Sequence, residues 1–242
     1  MEKLKKLIFG LPDILYPRRC AMCDKPLKKS EPYVCEKCSG KVRFISGKTC
    51  IKCGRKMSDG AGRMCHECIN ADHSFDEAFA PFIYEGDIRE SIARFKYRGR
   101  AEYATFYARC MYEYGKNRIK NWHADVLVPV PIHKSRLAKR GYNQADLIAR
   151  ELARLTGIPV TGDLIERVKK TEAQKELNAV QRKNNLRGAF AYKTGKIVPE
   201  TVIIVDDIFT TGSTVNAVSR ILKEYGAKRV YAACVSAAIL PN

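Results

Sequence analysis

The sequence contains no stretch approaching the ~18 consecutive apolar residues of a membrane-crossing helix. Its first apolar run, Leu7 to Leu11, is too short for a secretory leader, and no small-residue cleavage site follows. An intact cytoplasmic chain is therefore the expectation. Acidic side chains are scarce: 26 Asp and Glu stand against 44 Lys and Arg, for a formal net charge of +18. That imbalance favours polyanions without choosing among nucleotide, nucleic acid and anionic lipid. The chain also lacks the Gly-x-x-x-x-Gly-Lys of a P-loop, and no histidine stands beside Cys110 or Cys234 to mark a nucleophile. Apolar residues are not lacking. At 45% hydrophobic, 242 residues suit one large domain, or a medium one plus a small one, and disorder is excluded.

Cysteine is abundant. Eight of the ten sit in four Cys-x-x-Cys pairs, Cys20/Cys23, Cys35/Cys38, Cys50/Cys53 and Cys65/Cys68, stepped by fifteen residues. Tetrahedral zinc takes four soft ligands, and each pair presents two sulfurs to one metal. Two structural Zn2+ sites are expected, against a disulfide framework or redox pairs, which suit a cytoplasmic chain poorly. Sequential pairing, 20/23 with 35/38 and 50/53 with 65/68, is favoured over an interleaved one. Asp24, Pro26, Gly40 and Gly54 are turn residues placed close to the ligands. This region has few large apolar side chains, so metal would supply its stability.

After residue 75 the pattern alternates between strands and helices. Phe79–Tyr84, Asp125–Ile132, Thr201–Val205 and Val230–Ile239 read as strands. Between the first two lies a helical run reaching Tyr114. A polar loop rich in Lys and Arg follows Ile132, and Asn143 opens an apolar-striped helix. A second striped helix, Val215 to Tyr225, stops at Gly226. The expectation is an α/β fold, a mainly parallel sheet with helices on both faces, preceded by a small zinc-ribbon domain. The expected divisions are an amphipathic segment over 1–19, a double zinc ribbon over 20–74 and an α/β domain over 75–242.

One segment carries chemistry. Thr201–Thr214 reads TVIIVDDIFTTGST: a buried strand, two carboxylates at its end, then a hydroxyl-rich loop entering a helix. Ligands of open α/β sheets bind at the carboxyl ends of strands. Thr210, Thr211, Gly212, Ser213 and Thr214 offer hydroxyls and backbone N–H groups at a helix N-terminus, a setting for phosphate. Asp206 and Asp207 suit ribose hydroxyls, or a metal bridging to them.

This segment resembles the phosphoribosyl pyrophosphate (PRPP) motif of type I phosphoribosyltransferases. Three further stretches are similar to the ComF family. They are VPVPIHKSRLAKRGYNQ from Val128, the Lys96-Tyr97-Arg98-Gly99 patch, and Arg167, Thr171, Gln174, Leu177, Arg182, Asn185, Gly188 and Phe190 at that family's spacing. The four cysteine pairs match its double zinc ribbon, so the resemblance covers nearly the whole chain. It implies that Asp206 and Asp207 contact the ribose and that residues 210–214 hold the 5′-phosphate. Pro131, Ile132, His133 and Lys134 would sit against pyrophosphate, with Lys134 and Arg140 as charges and Arg167 and Arg182 on a cover. Mg2+ would accompany PRPP. If catalysis occurs, Asp206, Asp207, Arg140 and Arg182 are its candidates, while His133 reads as a loop contact rather than a general base.

The resemblance further implies a competence protein that assists single-stranded DNA uptake, partnered by an ATP-driven translocase. Phe95, Tyr97, Tyr103 and Tyr107 lie among basic residues, where core packing competes with base stacking. The alternatives are a metabolic phosphoribosyltransferase acting on a base or amine, and a non-catalytic PRPP or nucleotide sensor. The chain begins Met1-Glu2-Lys3, without the N-terminal nucleophilic cysteine of a glutamine-using enzyme. Leu4, Leu7, Ile8, Leu11 and Leu15 form a stripe beside Lys3, Lys5 and Lys6 that suits docking onto the protein or peripheral membrane contact.

Overall fold

A computed structural model describes residues 17–58, 60, 62–169 and 188–239. The 1–16 part of the amphipathic segment, and Thr171, Gln174, Leu177, Arg182 and Asn185, lie outside the described residues.

The two ribbons repeat one plan. In each, a Cys-x-x-Cys turn is closed by a short bridge, Arg19 to Pro26 in the first and Thr49 to Lys56 in the second. The second Cys-x-x-Cys of each opens a short helix, α1 (Glu36–Ser39) or α2 (His66–Asn70). The residue after each turn is left-handed: Asp24 at φ 63° and Gly54 at φ 69°. At Gly54 the glycine is required twice over, because a Cβ would lie 2.6 Å from the Ala78 carbonyl oxygen.

The remainder forms a parallel sheet. Its strands are β1 (Glu77–Phe79), β2 (Phe82–Ile83), β3 (Val126–Pro129), β6 (Thr201–Phe209) and β7 (Arg229–Ala237), with β4 (Ile165–Arg167) and β5 (Phe190–Tyr192) pairing separately as an antiparallel ribbon. The order across the sheet is β1-β7-β6-β3, and β2 continues along the same β7 edge. The single strand expected over 79–84 is thus two pieces, interrupted around Pro81, which has no N–H to donate to a ladder. The strand expected over 125–132 is shorter, and the one expected over 201–205 runs on to Phe209.

Helices α3 (Gly86–Tyr97) and α4 (Tyr103–Trp122) divide the long helical run at Gly99, which sits at φ 66°. α6 (Gln144–Thr156) begins where Asn143 caps it, the side chain accepting from the Ala145 N–H at 3.2 Å. α7 (Ser213–Glu224) follows β6. One expectation is corrected: the basic stretch after Ile132 is a helix, α5 (Lys134–Arg140), not a loop. His133 caps it and Gly141 closes it at φ 81°. None of its residues is buried, so it has no apolar stripe for periodicity to show.

Strand alternation builds two cores. Val126, Val128, Val202, Ile204, Val230 and Ala232 face α7. Leu127, Ile203, Val205, Ala233 and Val235 face α3, α4 and α6. The second ribbon packs into the first of these cores and the first ribbon into the other, so the ribbons brace opposite faces of one sheet.

Candidate functional site

Each zinc site can be tested against the size of the ion. At a Zn–S distance of ~2.3 Å, tetrahedral sulfurs lie about 3.8 Å apart. The Sγ atoms of Cys23 and Cys35 are 3.8 Å apart and those of Cys53 and Cys65 are 3.7 Å apart. Cys20, Cys23, Cys35 and Cys38 form one cluster and Cys50, Cys53, Cys65 and Cys68 the other, which is the sequential pairing. Backbone N–H groups of Cys35 and Cys65 donate to Cys20 and Cys50 sulfurs, orienting the ligands. These are two structural zinc sites, each of four cysteines.

The candidate ligand site lies at the carboxyl ends of β3 and β6, which are adjacent and in register at Pro129 and Val205. A cavity of about 710 Å³ opens there. Its floor carries Asp206 and Asp207, and Thr210 and Thr214 reach it from the hydroxyl-rich loop. Arg136, Lys139 and Arg140 of α5 border it, with Lys96 and Tyr97 of α3 and Arg167 at the end of β4. Ile132 also lines it, whereas His133 and Lys134 do not: His133 caps α5 and Lys134 is exposed. Arg182 lies outside the described residues.

The loop itself is built for close approach. Gly212 caps α7 at φ 75°, and a Cβ there would lie 2.6 Å from the Phe209 ring. The Thr211 and Ser213 hydroxyls are 2.6 Å apart. The first N–H groups of any helix have no intrahelical acceptor, and α7 presents that end here.

The two aspartates are not equivalent. Lys96 Nζ sits 2.8 Å from Asp207 Oδ2 and 2.9 Å from its Oδ1. Asp206 is half-buried at the cavity, and its Oδ1 accepts from the Asp207 N–H at 2.8 Å. Burial, then the charge of Asp207, pushes it up to about 7, against the partial relief of Lys96. Burial also lowers Arg167 to about 10, with Arg136 adding repulsion.

Sequence reasoning missed Arg136 and Lys139 as cavity residues. Arg136 stands one helical turn before Arg140, and Lys139 is the chain neighbour of Arg140. Arg140 crosses from α5 to α3, its guanidinium 5.0 Å from the centre of the Tyr97 ring and bonded to Gln144 Oε1 at 2.9 Å. Of the four rings weighed for base stacking, Phe95, Tyr103 and Tyr107 are core, while Tyr97 is 58% exposed.

The residue types, the strand-end position and the paired ribbons define a phosphoribosyltransferase-type fold carrying two zinc ribbons. The phosphoribosyl transferase domain family matches residues 107–239, and the double zinc ribbon domain family matches residues 11–69. Competence protein F of Haemophilus influenzae is 31% identical over 217 residues, spanning 87% of this chain and 86% of its own. DNA utilization protein YhgH of Salmonella typhimurium is 29% identical over 222 residues, 90% of this chain and 96% of its own. Competence protein ComFC of Streptococcus pneumoniae is 29% identical over 155 residues, 62% of this chain and 64% of its own. The chain belongs to the ComF family of competence protein F relatives, a phosphoribosyl transferase domain joined to a double zinc ribbon.

Proposed function

We propose that this chain is a competence protein that binds PRPP between the 210–214 loop and α5, and that it assists the handling of single-stranded DNA taken up in natural transformation. The observation that carries the PRPP reading is the cavity itself. Paired carboxylates for ribose hydroxyls, a hydroxyl-rich helix N-terminus for the 5′-phosphate and a border of Arg136, Lys139, Arg140 and Arg167 for pyrophosphate converge on one space. Asp206 and Asp207 present hard oxygens of the kind Mg2+ takes, and the ion would neutralise pyrophosphate as it leaves.

The names of the relatives support the competence role. Among the described residues no helix is long and apolar enough to cross a membrane. Single-stranded DNA would meet basic surface, and its affinity should fall steeply as salt rises. A flat salt response rules out that part of the reading.

Tyr84, Arg89, Ala93 and Ala238 also line the cavity and would border an acceptor if one is used. The decisive experiment is calorimetric titration with PRPP and Mg2+, comparing the wild type with Asp206→Asn/Asp207→Asn. Binding lost in the double variant supports the site. No binding by the zinc-loaded wild type refutes it. Pyrophosphate release that needs an added nucleobase or ammonia would then separate an enzyme from a sensor.

A further inference from the structure

The second zinc ribbon reaches the hydroxyl-rich loop through the side chain of Arg55. Arg55 follows Gly54 in the Cys50–Cys53 turn and is only 2% exposed. Its Nε donates to Cys53 Sγ at 3.5 Å, its Nη1 to the Thr210 carbonyl oxygen at 3.3 Å, and its Nη2 to Glu67 of α2. The same guanidinium lies 5.7 Å from the centre of the Phe209 ring. That ring fills the space a side chain at Gly212 would take, and it meets Phe75 edge-on at 5.8 Å. A second tie reaches the first turn of α7, where the Ser74 N–H donates to Asn216 Oδ1 at 2.5 Å.

The internal repeat supplies a control for what Arg55 does. Thirty residues earlier the corresponding position is Lys25, which is exposed. The ribbon plan therefore does not itself call for a buried guanidinium. What differs is the neighbour: Arg55 has the 209–212 segment above it. A zinc ion with four thiolates carries a net charge of −2, and a buried cation beside it compensates part of that charge.

We propose that Arg55 is a positioning residue that couples occupancy of the second zinc site to the conformation of the 210–214 loop. Zinc fixes Cys53 and, through Cys65 and Cys68, the helix bearing Glu67. These two hold the guanidinium, and the guanidinium holds the Thr210 carbonyl. Loss of that zinc releases the fork and loosens the loop. Any effect on PRPP affinity rests on the proposed function. The coupling of zinc to the loop does not.

The test uses the full-length, zinc-loaded protein and Arg55→Lys, which installs the residue found in the first ribbon. Three quantities are measured: zinc per chain, amide hydrogen exchange across 209–216 with β3 as internal reference, and PRPP affinity. The expected result is two zincs per chain, faster exchange at 209–216 by roughly ten- to a hundredfold, unchanged exchange in β3, and weaker PRPP binding. Wild-type exchange at 209–216 in a variant with two zincs overturns the proposal. If Arg55→Lys loses the second zinc, Glu67→Gln carries the test, since it frees one arm of the fork and keeps the cation. Faster loop exchange in that variant with both zincs bound supports the coupling, and unchanged exchange overturns it. A wild type that binds no PRPP refutes the proposed ligand, while the exchange comparison still decides the role of Arg55.

Discussion

Replacing Asp206 by asparagine should make the protein more stable as pH rises. The folded carboxyl is pushed from 3.8 up to about 7, mainly by burial and then by Asp207. Between those values the folded chain keeps a proton that the unfolded chain has released. Each unit of rising pH in that window removes about 1.4 kcal/mol of stability, and the loss is complete above the folded value. The ceiling is roughly 4 kcal/mol. Of this, about 2–3 kcal/mol falls between pH 5 and pH 8, since the folded value already includes the relief that Lys96 gives. Asparagine has nearly the same shape and no charge, so its stability should not follow this curve. The assay is urea unfolding at matched pH values, followed by the fluorescence of Trp122. That residue is the only tryptophan and is stacked on Tyr231 with ring centres 4.4 Å apart. The wild-type deficit relative to Asp206→Asn should be near zero below pH 4, partial at pH 5 and full at pH 8. A difference that stays flat across that range refutes the reasoning.

Lys96→Met should leave Asp207 without its ion pair and raise the pH at which Asp206 ionises by roughly one unit, moving the same stability curve upward. Gly54→Ala puts a Cβ 2.6 Å from the backbone oxygen of Ala78 at a φ of +69° and should cost ~2 kcal/mol or more, read as a lowered Tm with zinc present. Tyr103→Phe removes the hydroxyl that donates to Asp24 at 2.7 Å and should cost about 1–2 kcal/mol in urea unfolding, while both zincs remain countable. Gly212→Ala forces the Phe209 ring from its place, so calorimetry should show PRPP binding lost while zinc content stays at the wild-type value.

Where one physical constraint acts alone, the sequence was enough. Four thiolates at fixed spacing have one economical use, and the cysteine clusters follow from it. The strand at Thr201 is buried on both faces, so its apolar run was plain, and Asp206 and Asp207 stand out against it. α5 escaped notice because an exposed helix needs no stripe, and its basic residues look like a loop. With it went Arg136 and Lys139. The Lys96–Asp207 pair was invisible for another reason: the partners are 111 residues apart, and only the fold brings the last turn of α3 to the end of β6. Arg55 was hidden in the same way, since nothing near it in the chain distinguishes it from Lys25.

The register of the sheet also orders the events of synthesis. β1, at the start of the α/β region, pairs with β7, the last strand among the described residues, and the Val230 N–H closes onto Asp76 across a separation of 154 residues. Arg55 waits in the same way for Thr210, 155 residues downstream. The ribbons need only local chain and metal, so they can close while the ribosome is still far from β7. Contacts of such range carry a large loop-closure cost and form late. A nascent chain should therefore carry two finished zinc sites with no sheet to rest on. Truncation before Arg229 should leave zinc uptake intact while the faces that later cover the sheet stay exposed and prone to aggregation.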